Sequence, residues 1–366
     1  MFNTILCFSL IHIILINWVM CMAQKRAREL GLSFGELPIG ELNSITDVPG
    51  VLVGHTTVIE DHPRVIRSGV TTILPNNGKI WEEHCYAGIH SLNGHGEITG
   101  AHWIKEGGLL NSAIGLTGSF NVGLTYSVLQ EFCLPGYGLP VVAETSDAFL
   151  NGRQRNLISR EHILASIKNA NSEKVAEGNV GGGTGMICYQ FKGGIGSASR
   201  KVLIDHQEFV VGVLVQANYG LREHLIINGK PIGKLINSSI TPLPTSEDKE
   251  KNSVIVIIAT NAPLLPYQCN RLAQRSGLGL AKLGCAGHNM SGDLMLAFST
   301  GNTILPNKKI LNGIKSINNN EINILFDAVI DATEESVVNA LVAAETMVGF
   351  EGRKVYQIPQ NLLVMH

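Results

Sequence analysis

The sequence predicts a layered α+β fold in a single domain, and three observations carry that prediction. Of the 366 residues 45% are hydrophobic and only 16% are charged, a composition that builds a sizeable core. Short strand-like runs bounded by Gly, Pro or Asn recur along the chain. Helical segments fall among them without the regular βαβ spacing of a doubly wound sheet. The 40 glycines, gathered in tight clusters, make turns and close backbone approaches matter more than long helices.

In chain order, MFNTILCFSLIHIILINWVMCMA is an apolar stretch ending in a small-residue pattern at Ala23, with Cys21 two positions earlier. Residues 1–23 read as a signal peptide cut after Ala23, which places the body of the protein in the periplasm or outside the cell. No Lys or Arg opens the stretch, so an uncleaved membrane anchor is the competing reading, though no stable membrane partner is expected. The five cysteines that remain, Cys85, Cys133, Cys188, Cys269 and Cys285, are odd in number and widely spaced, which argues against a disulfide scaffold. A net charge of -2 without basic clusters gives no electrostatic footprint for nucleic acid.

Strand character follows in VPGVLVGHTTV, SGVTTILP and CYAGIHSLNG, then an amphipathic helix in NVGLTYSVLQEF and a strand in GLPVVAE. SREHILASIKNA has helical periodicity behind a Ser cap. RKVLIDHQEFVVGVLVQAN reads as two strands joined by a polar turn. The Pro-rich, charged stretch TPLPTSEDKEKN is a linker inside one domain. Beyond it come strand SVIVIIAT, helix PYQCNRLAQRSGLGLAKL, strand DLMLAFST and a late helix near TEESVVNALVAAETMV.

The change of character at Ser253 is abrupt. Charged loop runs up to Asn252, and from Val254 the chain is a Val and Ile run that suits only a buried strand. On the residues alone, Ser253 is either the strand's polar first residue or a nucleophile released by cleavage between Asn252 and Ser253. Ser, Thr and Cys are the side chains that attack the preceding carbonyl to give an ester. The product would hold a hydroxyl and a free α-amine of pKa about 8 on one residue, a nucleophile with its own base.

The stretches ITDVPGVLVGHTTV, LNGHGEITGAHW, LPVVAET, EGNVGGGTGMICYQFKGGIGSASR, VLVQANYG, NSVIVIIATNAPLLPYQCNRLAQRSGLGLAKLG and SGDLMLAFSTGN, in this order, resemble the self-processing L-aminopeptidase/D-esterase family, which includes the β-aminopeptidases. The resemblance spans residues 28–350. It implies an αββα sandwich, self-cleavage into an α polypeptide (24–252) and a β polypeptide (253–366), no metal or organic cofactor, and a homotetramer acting on a small peptide or amide substrate.

The resemblance makes Ser253 the nucleophile and Asn218, in VQANYG, the oxyanion donor; spacing alone reads Asn218 as a turn residue before Gly220. Such a donor supplies about 3 kcal/mol to the transition state. Ser291 and Asp293, in NMSGDLMLAF, match a serine and a carboxylate beside the nucleophile, and at strand spacing i and i+2 they share one face. Family members often carry Glu where Asp293 stands. Glu144, in VVAETSD, matches the anchor for the substrate's ammonium. Ser146 replaces an aromatic that the family usually has there, and Ala148 replaces its glycine, which leaves the substrate range open.

Two further patterns are read as structural. GNVGGGTG and FKGGIGSAS lack the endings of nucleotide-binding loops and are taken as turns lining the cleft or as close-packing sites. His84, His90, His95 and His102 with Cys85 match no metal spacing. Against the aminopeptidase reading stand an acyltransferase of the ornithine-acetyltransferase type, which uses a threonine nucleophile, and a catalytically impaired binding protein.

Overall fold

A computed structural model describes residues 25–134, 138–244 and 253–364. Ten strands make the two sheets that position the site. β1 (Leu52–Glu60), β2 (Ile66–Leu74), β5 (Ile114–Gly118) and β6 (Val141–Thr145) form a four-stranded sheet in that order. β4 (Leu109–Leu110), β3 (His84–Gly94), β12 (Gly292–Ile304), β11 (Ser253–Thr260), β10 (Gln207–Asn218) and β9 (Gly194–Ile204) form a six-stranded one, again in that order. β11 runs antiparallel to β10 and parallel to β12.

Helices α2 (Val122–Phe132) and α3 (Arg160–Lys168) cover the smaller sheet, while α4 (Pro266–Lys282) and α5 (Asn323–Ala343) cover the larger. α1 (Ala101–Gly107) packs beside β3. The layers are therefore αββα, with three apolar interfaces. Val70, Leu129, Val142 and Ile163 fill the first, Ile73, Leu116, Ile255, Ile257 and Leu296 the middle, and Val254, Val256, Ile258, Leu272, Val329 and Leu341 the third. This explains the unbroken apolar run after Ser253. In a strand successive side chains face opposite ways, so Ile255 and Ile257 enter the inter-sheet core while Val254, Val256 and Ile258 meet the helices, and both faces demand apolar groups.

The strands and helices expected from the sequence lie where they were placed, and the β9–β10 turn is the two-residue kind, with Asp205 and His206 at φ 48° and 60°. Three points differ. FKGGIGSAS is not a turn: from Gly194 it is strand β9, and a Cβ at Gly196 would lie 1.9 Å from the Ser336 carbonyl oxygen of α5. Glycine there is a close-packing requirement. The late helix starts at Asn323 and ends at Ala343, where Ala344 turns extended with ψ 141°. Strands β4 and β5 and a hairpin of β7 (Ile187–Cys188) and β8 (Phe191–Lys192) were not anticipated, all being short and β5 interrupted by glycine and threonine. The cysteines from Cys85 to Cys285 are free thiols. Among the described residues no helix is long and apolar enough to cross a membrane. Residues 1–23 and linker residues 245–252, Asn252 included, lie outside the described residues.

Candidate active site

Ser253 is the first residue of β11, the strand between β10 and β12. Its register partners are Asn218, the last residue of β10, on one side and Gly292, the first of β12, on the other. Three strand ends thus converge at one edge of the sheet. The topology brings Ser253, Asn218, Ser291 and Asp293 together although up to 75 positions separate them in the chain.

The carbonyl end of the Asn218 amide is engaged, since Oδ1 accepts the Ile187 N–H at 2.8 Å. That bond fixes which way the amide points and leaves the Nδ2 end as the donor. Asn218 also precedes a turn, with Gly220 at φ 91°. On the other side, the Ser291 hydroxyl donates to Asp293 Oδ1 at 2.5 Å, and Asn93 Nδ2 donates to Oδ2 at 3.0 Å. Asp293 is wholly buried. Burial raises its pKa, and the hydrogen bonds from Ser291 and Asn93 oppose that rise. With its proton committed to Asp293, Ser291 Oγ offers lone pairs to an incoming donor. The carboxylate reaches Ser291 even though Asp is one methylene shorter than the family's usual Glu.

Glu144, near the end of β6, is buried and held from two directions. Its Oε1 accepts the Glu97 N–H at 3.1 Å, and its Oε2 takes a short bond from the Ser119 hydroxyl. Gly96 joins this carboxylate to the nucleophile's end of the sheet: a Cβ there would lie 3.4 Å from Glu144 Oε1 and 3.2 Å from Gly292 Cα. Gly292 in turn tolerates no Cβ, which would meet His95 O at 2.6 Å and Gly96 Cα at 2.8 Å. The loop after β3 therefore crosses directly over the start of β12, and the glycines let it do so. Ser146, two positions after Glu144, is half-buried. Asp147 is buried, accepts the Ser68 hydroxyl at 2.6 Å through Oδ2, and is pushed up to about 6 by burial, with the Ser68 bond opposing and the Glu144 charge adding to the rise.

Ser119, Asn93, Glu97 and Ile187 were missed in the sequence. LNGHGEITG, which holds Asn93 and Glu97, and EGNVGGGTGMICYQFKGGIGSASR, which holds Ile187, were visible as motifs, but Ser119 stands in a stretch without a distinctive pattern. Among the described residues no three His, Cys, Asp or Glu side chains are gathered as metal ligands.

A nucleophile-type residue heading a central strand of an αββα sandwich, with an amide donor and a serine–carboxylate pair at its sides, defines an N-terminal-nucleophile hydrolase. Comparison with known proteins narrows the class. The chain is 45% identical to the β-peptidyl aminopeptidase BapA of Sphingosinicella xenopeptidilytica, over 93% of this chain and 90% of that one. A Burkholderia sp. β-aminopeptidase structure superposes with a TM-score of 0.86 at 43% identity, covering 93% of this chain and 97% of that one. The L-aminopeptidase D-Ala-esterase/amidase of Ochrobactrum anthropi, described as a prototype for the serine aminopeptidases and a variant of the Ntn hydrolase fold, superposes at 0.85 with 38% identity over 92% and 96%. The model of peptidase family S58 matches residues 43–355. The chain belongs to peptidase family S58 and is a serine aminopeptidase of the N-terminal-nucleophile type.

Proposed function

We propose that the protein is an exported aminopeptidase that cleaves itself between Asn252 and Ser253 and then removes N-terminal residues, β-amino residues among them, from small peptides, amides or esters. The observation that carries this is the register at the strand ends, with Ser253 between Asn218 and Gly292. Ser253 Oγ attacks the substrate carbonyl and its own α-amine accepts the proton, because an amine of pKa about 8 is a usable base near neutrality. Asn218 Nδ2 donates to the oxyanion, and Ser291, oriented by Asp293, accepts from the protonated amine. The leaving amine departs, an acyl ester remains on Ser253, and water releases it. Glu144 grips the substrate ammonium, for which its buried carboxylate is suited. The inclusion of β-amino residues draws on the names of two relatives, a β-peptidyl aminopeptidase and a β-aminopeptidase. Residues 1–23 as an export signal and a homotetramer of processed pairs complete the reading.

The test is hydrolysis of an aminoacyl amide with its amine free and acetylated. The free amine should be turned over and the blocked one not, and Ser253→Ala should leave a single inactive chain. Equal hydrolysis of both substrates would contradict the aminopeptidase assignment of Glu144, and an active, uncleaved Ser253→Ala would contradict the nucleophile.

A further inference from the structure

We infer that Lys192 is a positioning residue for catalysis: its ammonium holds and polarises the Met186–Ile187 peptide group, which in turn holds and polarises the Asn218 amide. The inference rests on the proposed role of Asn218 as oxyanion donor.

Lys192 lies in β8 and is wholly buried. Its Nζ donates to Met186 O at 2.8 Å, to Gly193 O at 2.9 Å and to Gly183 O at 3.4 Å. Met186 O also accepts the Gly193 N–H at 3.0 Å. The N–H of that same peptide group is the Ile187 N–H, which donates to Asn218 Oδ1 at 2.8 Å. A continuous line therefore runs from ammonium to carbonyl, from N–H to Oδ1, and on to Nδ2. Each bond in such a chain strengthens the next. The Lys192 amino group donating at the carbonyl end, most strongly in its protonated form, draws density out of the peptide group, makes its N–H a stronger donor, and so makes Asn218 Nδ2 a stronger donor to negative charge. The effect is largest where charge develops, in the transition state.

Packing keeps the line rigid. A Cβ on Gly193 would lie 2.5 Å from Ala217 O, so the hairpin is pressed against β10 at the residue next to Asn218. The lysine is also expensive to keep. Among the described residues no carboxylate is paired with it, and burial draws its ammonium down to about 7. Methionine would fill a similar volume without that cost. Filling space alone therefore does not account for a buried amine here, and the other structural role is to satisfy three backbone carbonyls around a tight hairpin.

A double-mutant cycle separates the two. Lys192→Met, Lys192→Gln, Asn218→Ala and the doubles are assayed with an unblocked aminoacyl p-nitroanilide, with rates normalised to processed sites titrated by a sulfonyl fluoride. Lys192→Met should lower kcat about tenfold to a hundredfold, a share of what one oxyanion donor supplies, with KM within about twofold. In the Asn218→Ala background it should cost nothing more. Lys192→Gln, which keeps a neutral donor to the carbonyl, should fall between wild type and Lys192→Met, and it completes the cycle if the methionine variant does not fold. Losses that multiply in the double variant, or a folded Lys192 variant with wild-type kcat, would overturn the relay and leave the site reading intact. An Asn218→Ala enzyme with undiminished kcat would overturn the oxyanion role itself, and the relay with it.

Discussion

Glu144, proposed to grip the substrate ammonium, is held in place by a backbone N–H and a serine hydroxyl. Glu144→Gln keeps the shape and removes the charge, and should raise KM for free-amine substrates by about tenfold to a hundredfold, the loss of a charged contact of about 1.5 to 3 kcal/mol. Self-processing should persist, since it needs no substrate amine. A second residue-scale prediction concerns Asp147. Its folded pKa of about 6 stands above the unfolded value of 3.8, so the folded protein binds the proton more tightly. Asp147 therefore costs stability above pH 6, and that cost disappears as pH falls below about 4. The cost is about 3 kcal/mol. Asp147→Asn should raise the thermal midpoint at pH 8 and lose that advantage at pH 4, which paired melting curves would measure. On the proposed reading Ser146 lines the substrate pocket where the family usually has an aromatic, and Ser146→Tyr should narrow the range of first residues accepted, as a kcat/KM series over residue sizes would report.

At two glycines, elements meet backbone to backbone. Gly292 lies under His95 and Gly96, and Gly196 under Ser336, so neither position has space for a methyl group. Gly292→Ala should displace the start of β12, and with it Ser291 and Asp293, so processing should slow and the thermal midpoint fall; an unchanged processing rate would show that the strand ends tolerate a shift. The same level explains what was legible in advance. β11 declared itself by a doubly apolar run, and α4 by its periodicity behind Pro266, because burial on the strand's two faces and on one stripe of the helix leaves a pattern in residue types. The first half of β9 did not, since its residues are chosen by contact with α5, and a glycine required by a neighbouring carbonyl looks the same as a glycine in a turn. Ser119 and Lys192 stayed hidden for a related reason. The partner of Ser119 is Glu144 on another strand, and those of Lys192 are backbone carbonyls of its own hairpin and the glycine turn before it, which no residue type in the sequence marks.

At the scale of the whole molecule, two sheets and their helices place the ends of β10, β11 and β12 side by side. Most of the site's chemistry was legible only through resemblance: Ser-Gly-Asp and Asn-Tyr-Gly are ordinary turn sequences until the register of β11 puts Ser253 between them. The account rests on that serine becoming a chain terminus. The measurement that tests it most directly is the mass of the purified, active protein under denaturing conditions, combined with amino-terminal sequencing of each polypeptide. Two polypeptides are predicted, the smaller beginning Ser-Val-Ile-Val. One intact chain in active, freshly prepared protein would contradict both the cleavage and the use of the Ser253 amine as the base.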